Sequence, residues 1–447
     1  MTDRLLSLAE ALLHAATRAG AGAADVLAVE GTSLSVDIRR GRLEQAERAE
    51  GLDLGLRVLI GGRQACVSAS DTSRRTLDEM AARAVAMARE APEDPHAGLA
   101  DPADLAAARD AAGLEIEDPS PDPEAAALEA DARAAEAAAM AVPGTTQVEA
   151  SGGFSRQRVV LVATNGFTGG YGRTSRSVSA VAFTGTGTGM ERDWAGETRA
   201  HAADMPPAAG IGDRAARRAA ERLGARKPAT GTYPVVFDER VASSLIGHLL
   251  AAANGAAVAR GSSWLLGALG APVLPRGLDL VEDPHRPRTG GSRRFDAEGL
   301  PTMARRIVED GRLTGWTLDL ATGRKLGMPS TASAARGTGA PPSPATTNVD
   351  LTQGTASRAD LLAQMGTGLL VTSMIGSTIN PTTGDYSRGA SGFWVEGGQI
   401  AWPVNECTIA GNLRAMLMRI VPANDARPHL ATRVPSLLVD GMTLAGA

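Results

Sequence analysis

The chain has 447 residues, with 45 Lys and Arg against 50 Asp and Glu, a formal net charge of −5, 43% hydrophobic residues and 21% charged ones. That length provides for about two to four units, each with its own core, and the apolar content excludes a chain that stays disordered. The slightly acidic balance lacks the positive field that draws nucleic acid or anionic lipid, so protein, peptide or small molecule is the expected partner.

Leu5, Leu8, Leu12 and Ala16 recur at helical spacing, which predicts a one-faced helix over 3–19. Asp3, Arg4 and Glu10 interrupt it with charge, so it reads as an amphipathic helix and not as a signal peptide. The period then drops to two. Leu34, Val36 and Ile38 alternate with polar residues, Arg40-Gly41 turns into a strand near 42–49, Leu52 to Val58 alternate again, and Gly61-Gly62 turns into 63–69. Four successive antiparallel strands are expected, covered on one face by a helix carrying Leu77, Met80, Ala84 and Ala88.

Residues 91–122 are rich in Pro, Asp and Ala and read as an exposed connection. A helix follows over 123–141, then strands over 146–200 with a turn at Asn165-Gly166, then a helix ending at Gly224. A boundary near 228 would separate an N-terminal α+β domain, 1–228, from a β-rich domain, 229–447. TYPVVFD reads as a strand, and Asp238 is placed to cap the helix running from 239 towards Ala259. Short strands and Gly-centred turns fill 277–326, and 328–347 is a long Pro/Gly/Ser/Thr loop. GLLVTSMIG is a strand, 391–404 a hairpin turning at Gly397-Gly398, IAGNLRAMLMRIV a helix, and PSLLVDGMTLAG a final strand. The overall class is α+β. No apolar run approaches the roughly 18 residues that span a bilayer, and with Cys66 and Cys407 far apart there is neither a disulfide framework nor a cysteine zinc cage. A soluble cytoplasmic protein is expected.

The six histidines are scattered, no HExxH occurs, and the residues offer no obvious zinc site. GTGTGM at 185–190 lacks the strand–loop–helix frame of a dinucleotide fingerprint and reads as a strand-edge turn. Asp296 with Glu298 could form an acid/base pair and Asp385 with Arg388 a polar site, but turn capping and a surface ion pair explain these residue types as well. His248 shares a helical face with Val241, Leu245 and Ala252, which predicts a core-edge histidine satisfied by one hydrogen bond, with Ser244 as the candidate partner.

Four stretches carry a resemblance: 243–265, 295–319, 341–351 and above all TGDYSRGASGFWVEGGQIAWPVNECTIAGNL at 383–413. In them the chain resembles the TldD/PmbA family, within it the PmbA (TldE) branch. The resemblance implies a subunit of a two-chain metallopeptidase that cuts unstructured peptides, with a partly closed, barrel-like C-terminal domain. In the TldD branch an HExxxH segment and a C-terminal cysteine hold zinc. Those positions read Ser243, Ser244 and His248 here, and no cysteine stands near the C-terminus. A hydroxyl is a poor zinc ligand and no carboxylate base. The resemblance therefore implies a non-catalytic chain with no metal of its own, zinc in a TldD-like partner subunit forming a heterodimer, and no nucleic acid or membrane.

Asp385, Tyr386, Ser387, Arg388, Phe393 and Trp394, the hairpin 392–404 and the loop 328–347 are the candidate contacts for partner or peptide. Two alternatives remain at this point: a stand-alone hydrolase built around His248 and polar groups such as Asp385, and a homodimeric peptide-binding module.

Overall fold

Two sets of five elements build the N-terminal half of the computed structural model, which describes residues 3–446. The first set is α1 (Asp3–Arg18), β1 (Ala23–Arg39), β2 (Arg42–Ile60), β3 (Arg63–Ala69) and α2 (Arg74–Glu90). The second is α3 (Ala125–Met140), β4 (Thr145–Ala163), β5 (Thr168–Thr184), β6 (Glu191–Arg199) and α4 (Ala208–Ala220). Each runs helix, three antiparallel strands, helix, and the two sets join through an antiparallel β1–β4 pair into one six-stranded sheet, β3-β2-β1-β4-β5-β6.

Val26, Ala28, Leu34 and Val36 of β1 alternate onto one face. One end of that face lies under α1 and α2 and the other under α3 and α4, so all four helices share it. Where α3 meets α4 the approach is so close that a Cβ on Gly212 would fall 1.8 Å from the Ala135 carbonyl oxygen.

Three strands stand where the alternation predicted four. Residues 42–49 and 52–58 form one continuous strand because β1 pairs along its whole length, Gly31 opposite Gly51. The charged first half of β2 is exposed and the apolar second half buried, and that change of character splits one element into two in the sequence.

The C-terminal half opens with β7 (Gly231–Phe237), α5 (Glu239–Ala252) and α6 (Gly255–Ala259), the last two separated by Asn254, whose side chain caps α6. Then come β8 (Leu280–Glu282), β9 (Arg305–Glu309), β10 (Arg312–Leu313), α7 (Leu320–Leu326), β11 (Ala334–Ala335), β12 (Ser343–Pro344), β13 (Val349–Leu351) and α8 (Arg358–Met365). The chain ends with β14 (Gly368–Ile379), β15 (Asp385–Glu396), β16 (Gln399–Asn412), α9 (Leu413–Leu417), β17 (Val421–Pro422), β18 (Thr432–Arg433) and β19 (Leu437–Ala445).

Strands β16-β15-β14-β7-β19 lie side by side, and a further β16–β19 pairing closes them into a five-stranded barrel in which β7 and β14 run parallel. Val235 and Phe237 of β7 join the core shared with α5, while Val236 between them faces α8. The helix expected over 409–421 shrinks to α9, because the β15–β16 ladder runs on to Asn412, whose side chain then caps the short helix.

The segment expected as an exposed connection and the long loop 328–347 both tie the halves together. The stretch 91–122 buries Ala100, Ala106, Leu114 and Ile116. Its carbonyls at His96 and Leu99 accept from Arg324 at 3.0 and 2.9 Å, and the Arg288 amide donates to the Leu114 carbonyl at 2.8 Å. The loop 328–347 folds into the β11–β12 hairpin, and its tip lies on β2, where the Thr338 backbone leaves no room for a Cβ on Gly55.

That hairpin drives Arg336 into the sheet beside Asp25 of β1, which also receives Arg57 of β2 at 2.8 Å. All three side chains are under 5% exposed. Burial alone would raise the Asp25 carboxyl, but Arg336 and Arg57 outweigh it and hold the group below its ordinary value. Asp296 and Glu298 lie near this cluster. Asp296 caps its turn, accepting from the amides of Glu298, Leu300 and Ala334, yet both carboxyls are buried and neither forms a surface pair. Burial, then the negative charge of Asp296, push Glu298 up to about 8.

Two outcomes follow. Asp25→Asn leaves two buried guanidiniums without a counter-charge and should lower urea-unfolding stability by about 3–5 kcal/mol, whereas Asp78→Asn, in an exposed pair with Arg18, should cost under about 1 kcal/mol. Between the ordinary carboxylate range and about 8, the folded chain keeps a proton on Glu298 that the unfolded chain has released, so stability falls as pH rises through that window. Glu298→Gln should flatten that fall, read as melting temperature between about pH 5 and pH 8.

Candidate functional site

Asp238, buried at the end of β7, starts α5 by accepting from the Arg240 amide at 3.2 Å, and it also binds the side chains of Arg240 at 3.0 Å and Arg358 at 2.6 Å. The cap fixes where α5 begins and hence where Ser243, Ser244 and His248 stand. Ser243 and Ser244 are half-buried. The Ser244 hydroxyl donates to the Val241 carbonyl at 2.7 Å, one turn back along its own helix.

The expected Ser244–His248 bond is therefore not made. The His248 ring stands edge-to-face on Tyr386, with centroids 5.9 Å apart, and its buried Nε2 has no protein partner. Burial, then the charge of Arg388, lower the His248 pKa and favour the neutral ring. The Tyr386 hydroxyl donates to Met374 Sδ at 3.3 Å, and burial pushes that phenol up to about 12.

The 383–413 segment supplies two walls of the barrel, which decides the fate of its candidate contacts. Tyr386, Phe393 and Trp394 are all under 9% exposed. Phe393 packs outward beneath Leu361, Leu362 and Met365 of α8. Trp394 meets Tyr233 at 4.9 Å and stacks on Trp402 at 5.7 Å. These three are core residues of the folded chain. On neighbouring strand positions both faces are covered, a pattern that shows as an unbroken apolar run.

Asp385, Ser387 and Arg388 reach solvent at least in part, and Asp385 and Arg388 are engaged with other partners. Asp385 accepts from Thr383 Oγ1 at 2.7 Å and Asn412 Nδ2 at 3.1 Å, which lower its pKa, and Arg388 Nε donates to the Gly376 carbonyl at 2.8 Å. The hairpin 392–404 is held to the linker before β7: Arg222 donates to Ser391, the Arg226 amide donates to the Pro403 carbonyl, and the Arg226 guanidinium lies 4.3 Å from the Trp402 ring centre.

A zinc ion does not fit this donor set. His248 offers one imidazole nitrogen, Ser244 has spent its proton on the helix backbone, and neither serine is a carboxylate. Cys407 donates to the Ala390 carbonyl at 3.2 Å, and burial pushes its thiol up to about 11, far from the thiolate a metal requires. The other histidines are dispersed: His201 meets the Glu115 carbonyl, His285 the Thr302 hydroxyl and His429 the Glu197 carboxylate. Among the described residues no three His, Cys, Asp or Glu side chains converge on one point, and no helix is long and apolar enough to cross a membrane.

The sequence reading missed the ionic seam of Asp25, Arg57 and Arg336. Its signal was present: an Asp inside AADVLAV and an Arg inside LGLRVLI, directly opposed in the β1–β2 register.

Comparison with known proteins agrees with this architecture along the chain. Residues 24–88 match the model of PmbA/TldA metallopeptidase domain 1, 117–223 the central domain and 230–446 the C-terminal domain. Metalloprotease PmbA of Escherichia coli O157:H7 is 37% identical over 95% of this chain and 92% of its own length. The Metalloprotease PmbA homolog of Haemophilus influenzae is 35% identical over 96% and 94%. Among solved structures, a Bacteroides thetaiotaomicron protein whose name proposes a modulator of DNA gyrase superposes with a TM-score of 0.91 at 27% identity over the whole of both chains. TldE from Thermococcus kodakarensis shares the fold with a TM-score of 0.84 at 18% identity, covering 98% of this chain and 100% of its own. The chain is a member of the PmbA/TldD metallopeptidase family.

Proposed function

We propose that this chain is the subunit of a TldD/TldE-type metallopeptidase that completes the assembly and holds extended peptide, while a TldD-like partner carries the zinc and performs the hydrolysis. The observation that carries this reading is the substitution along α5. Where the metal-binding branch of the family places histidine, glutamate and histidine, this helix presents Ser243, Ser244 and a half-buried His248 whose pKa is lowered by burial. Activation of water by a metal needs a coordinating set and a base within reach of the proton, and one imidazole supplies neither in full.

The peptide-holding part of the proposal draws on the sheet edge. Strand β3 pairs with β2 only from Leu54 to Ile60, so among the described residues the outer edge of β2 before Leu54 has no strand beside it. Such an edge binds extended chain through backbone groups and tolerates varied sequence, as unstructured substrates require. Asp385, Ser387 and Arg388 are the surface-reaching members of the original contact set, and they remain candidates for the partner.

The decisive experiment assays an unfolded peptide and total zinc in three samples: this chain, a TldD-like subunit, and the two mixed. The expected outcome is sub-stoichiometric zinc and no cleavage for this chain alone, with cleavage in the mixture and co-elution of the two chains. Cleavage by the isolated chain together with one tightly bound zinc would overturn the proposal.

A further inference from the structure

The seam between the N-terminal sheet and the C-terminal half forms a partly open cavity of about 490 Å³. Leu27 of β1 and Val159 and Leu161 of β4 give it an apolar wall, and Arg173, Arg293 and Arg336 also line it. These guanidiniums are only partly used. Arg336, 2% exposed, turns one Nη to Asp25, while its Nε and second Nη have no protein partner. Arg293 donates its two Nη groups to the Ala334 and Ala345 carbonyls, and its Nε is unpaired. Arg173 donates one Nη to the Gly290 carbonyl at 3.0 Å and lies 4.9 Å from the Tyr171 ring centre, and its Nε is likewise unpaired.

The two carboxylates on the same lining accept no hydrogen bond from these donors, although the charge of Arg293 reaches Asp296. Asp53 takes the hydroxyls of Ser70 and Thr338, and Asp296 takes three backbone amides. A buried donor left unpaired costs the desolvation of that group, so unpaired guanidinium N–H groups from three arginines around one cavity mark an anion-shaped deficit. The guanidinium fork matches the two oxygens of a carboxylate.

We infer that this cavity is a binding site for a small amphipathic carboxylate, its oxygens taken by Arg336, Arg293 and Arg173 and its apolar body resting on Leu27, Val159 and Leu161. A bare inorganic oxyanion would leave the apolar wall without a role, and a neutral apolar molecule would leave the guanidiniums unanswered. The site belongs to this chain alone and does not rest on its membership of a two-chain peptidase.

The test is isothermal titration of the full chain with N-acetyl-dileucine, with the C-terminal amide of the same compound, and with inorganic phosphate. The free acid should bind one to one, and the amide should bind at least about tenfold more weakly, the loss expected when a charge-assisted pair is removed. Phosphate should not displace the acid. Arg173→Gln, at a half-exposed side chain with one backbone bond, should weaken the acid by about tenfold with an unchanged melting temperature, and Arg293→Gln is the second variant should the first fail to fold. No binding of the acid, equal binding of acid and amide, displacement by phosphate at equal affinity, or parent-like binding by both folded variants would each overturn the assignment.

Discussion

One buried carboxylate, Asp25, joins the N-terminal sheet to the β11–β12 hairpin of the C-terminal half. Asp25 stands on β1, where a residue of the apolar pattern is due, and its charge is offset by Arg57 from the neighbouring strand and Arg336 from a hairpin more than 300 positions away in sequence. A buried ionic triad of this kind gives little net stability over an apolar core, whereas removing one partner leaves an uncompensated buried charge. Where the β11–β12 hairpin docks, its desolvated arginine meets a counter-ion. The segment 91–122 follows the same seam from the other side, with carbonyls receiving Arg324 and an amide partner in Arg288.

How much of this the sequence disclosed depends on the range over which each signal acts. The period of α1, the alternation in β1, the Asp238 cap and the Gly397-Gly398 turn are local, and each appears where the residues place it. Failures came where distant pairing overrules local character. The charged half of β2 does not look like the continuation of an apolar strand, yet β1 pairs with both. The residues around 410 have helical spacing, but a ladder to β15 claims them first. The 91–122 and 328–347 segments carry loop composition because they are irregular in backbone. Composition does not reveal that irregular backbone can still be buried against another part of the chain. The duplicated arrangement of helices and strands in the N-terminal half was likewise hidden, because no residue pattern repeats with it.

The candidate site shows the same division. The family resemblance pointed to α5 and the 383–413 segment, and the structure places them in and around the barrel. The aromatics of the second are residue types that often bind, but here Tyr386 and Trp394 pack in the core shared with α5 and Phe393 packs outward under α8. Ser244 and His248, four apart on one helix, satisfy the spacing for a bond. Ser244 instead bonds to the carbonyl one turn behind it, a local option always open to a helical serine.

Barrel closure sets a schedule for synthesis. The β7 stave finds one neighbour in β14 and the other in β19, and from Phe237 to Leu437 the ribosome must add 200 residues before that second neighbour exists. At ordinary elongation rates this is a wait on the order of ten seconds or more, during which a strand of buried valines has an open side. The N-terminal sheet has no such delay, since its six strands are complete by Arg199. The nascent chain thus passes through a stage with one finished layer and one unfinished ring, and any factor that shelters aggregation-prone polypeptide would find its target in the interval between those two strands.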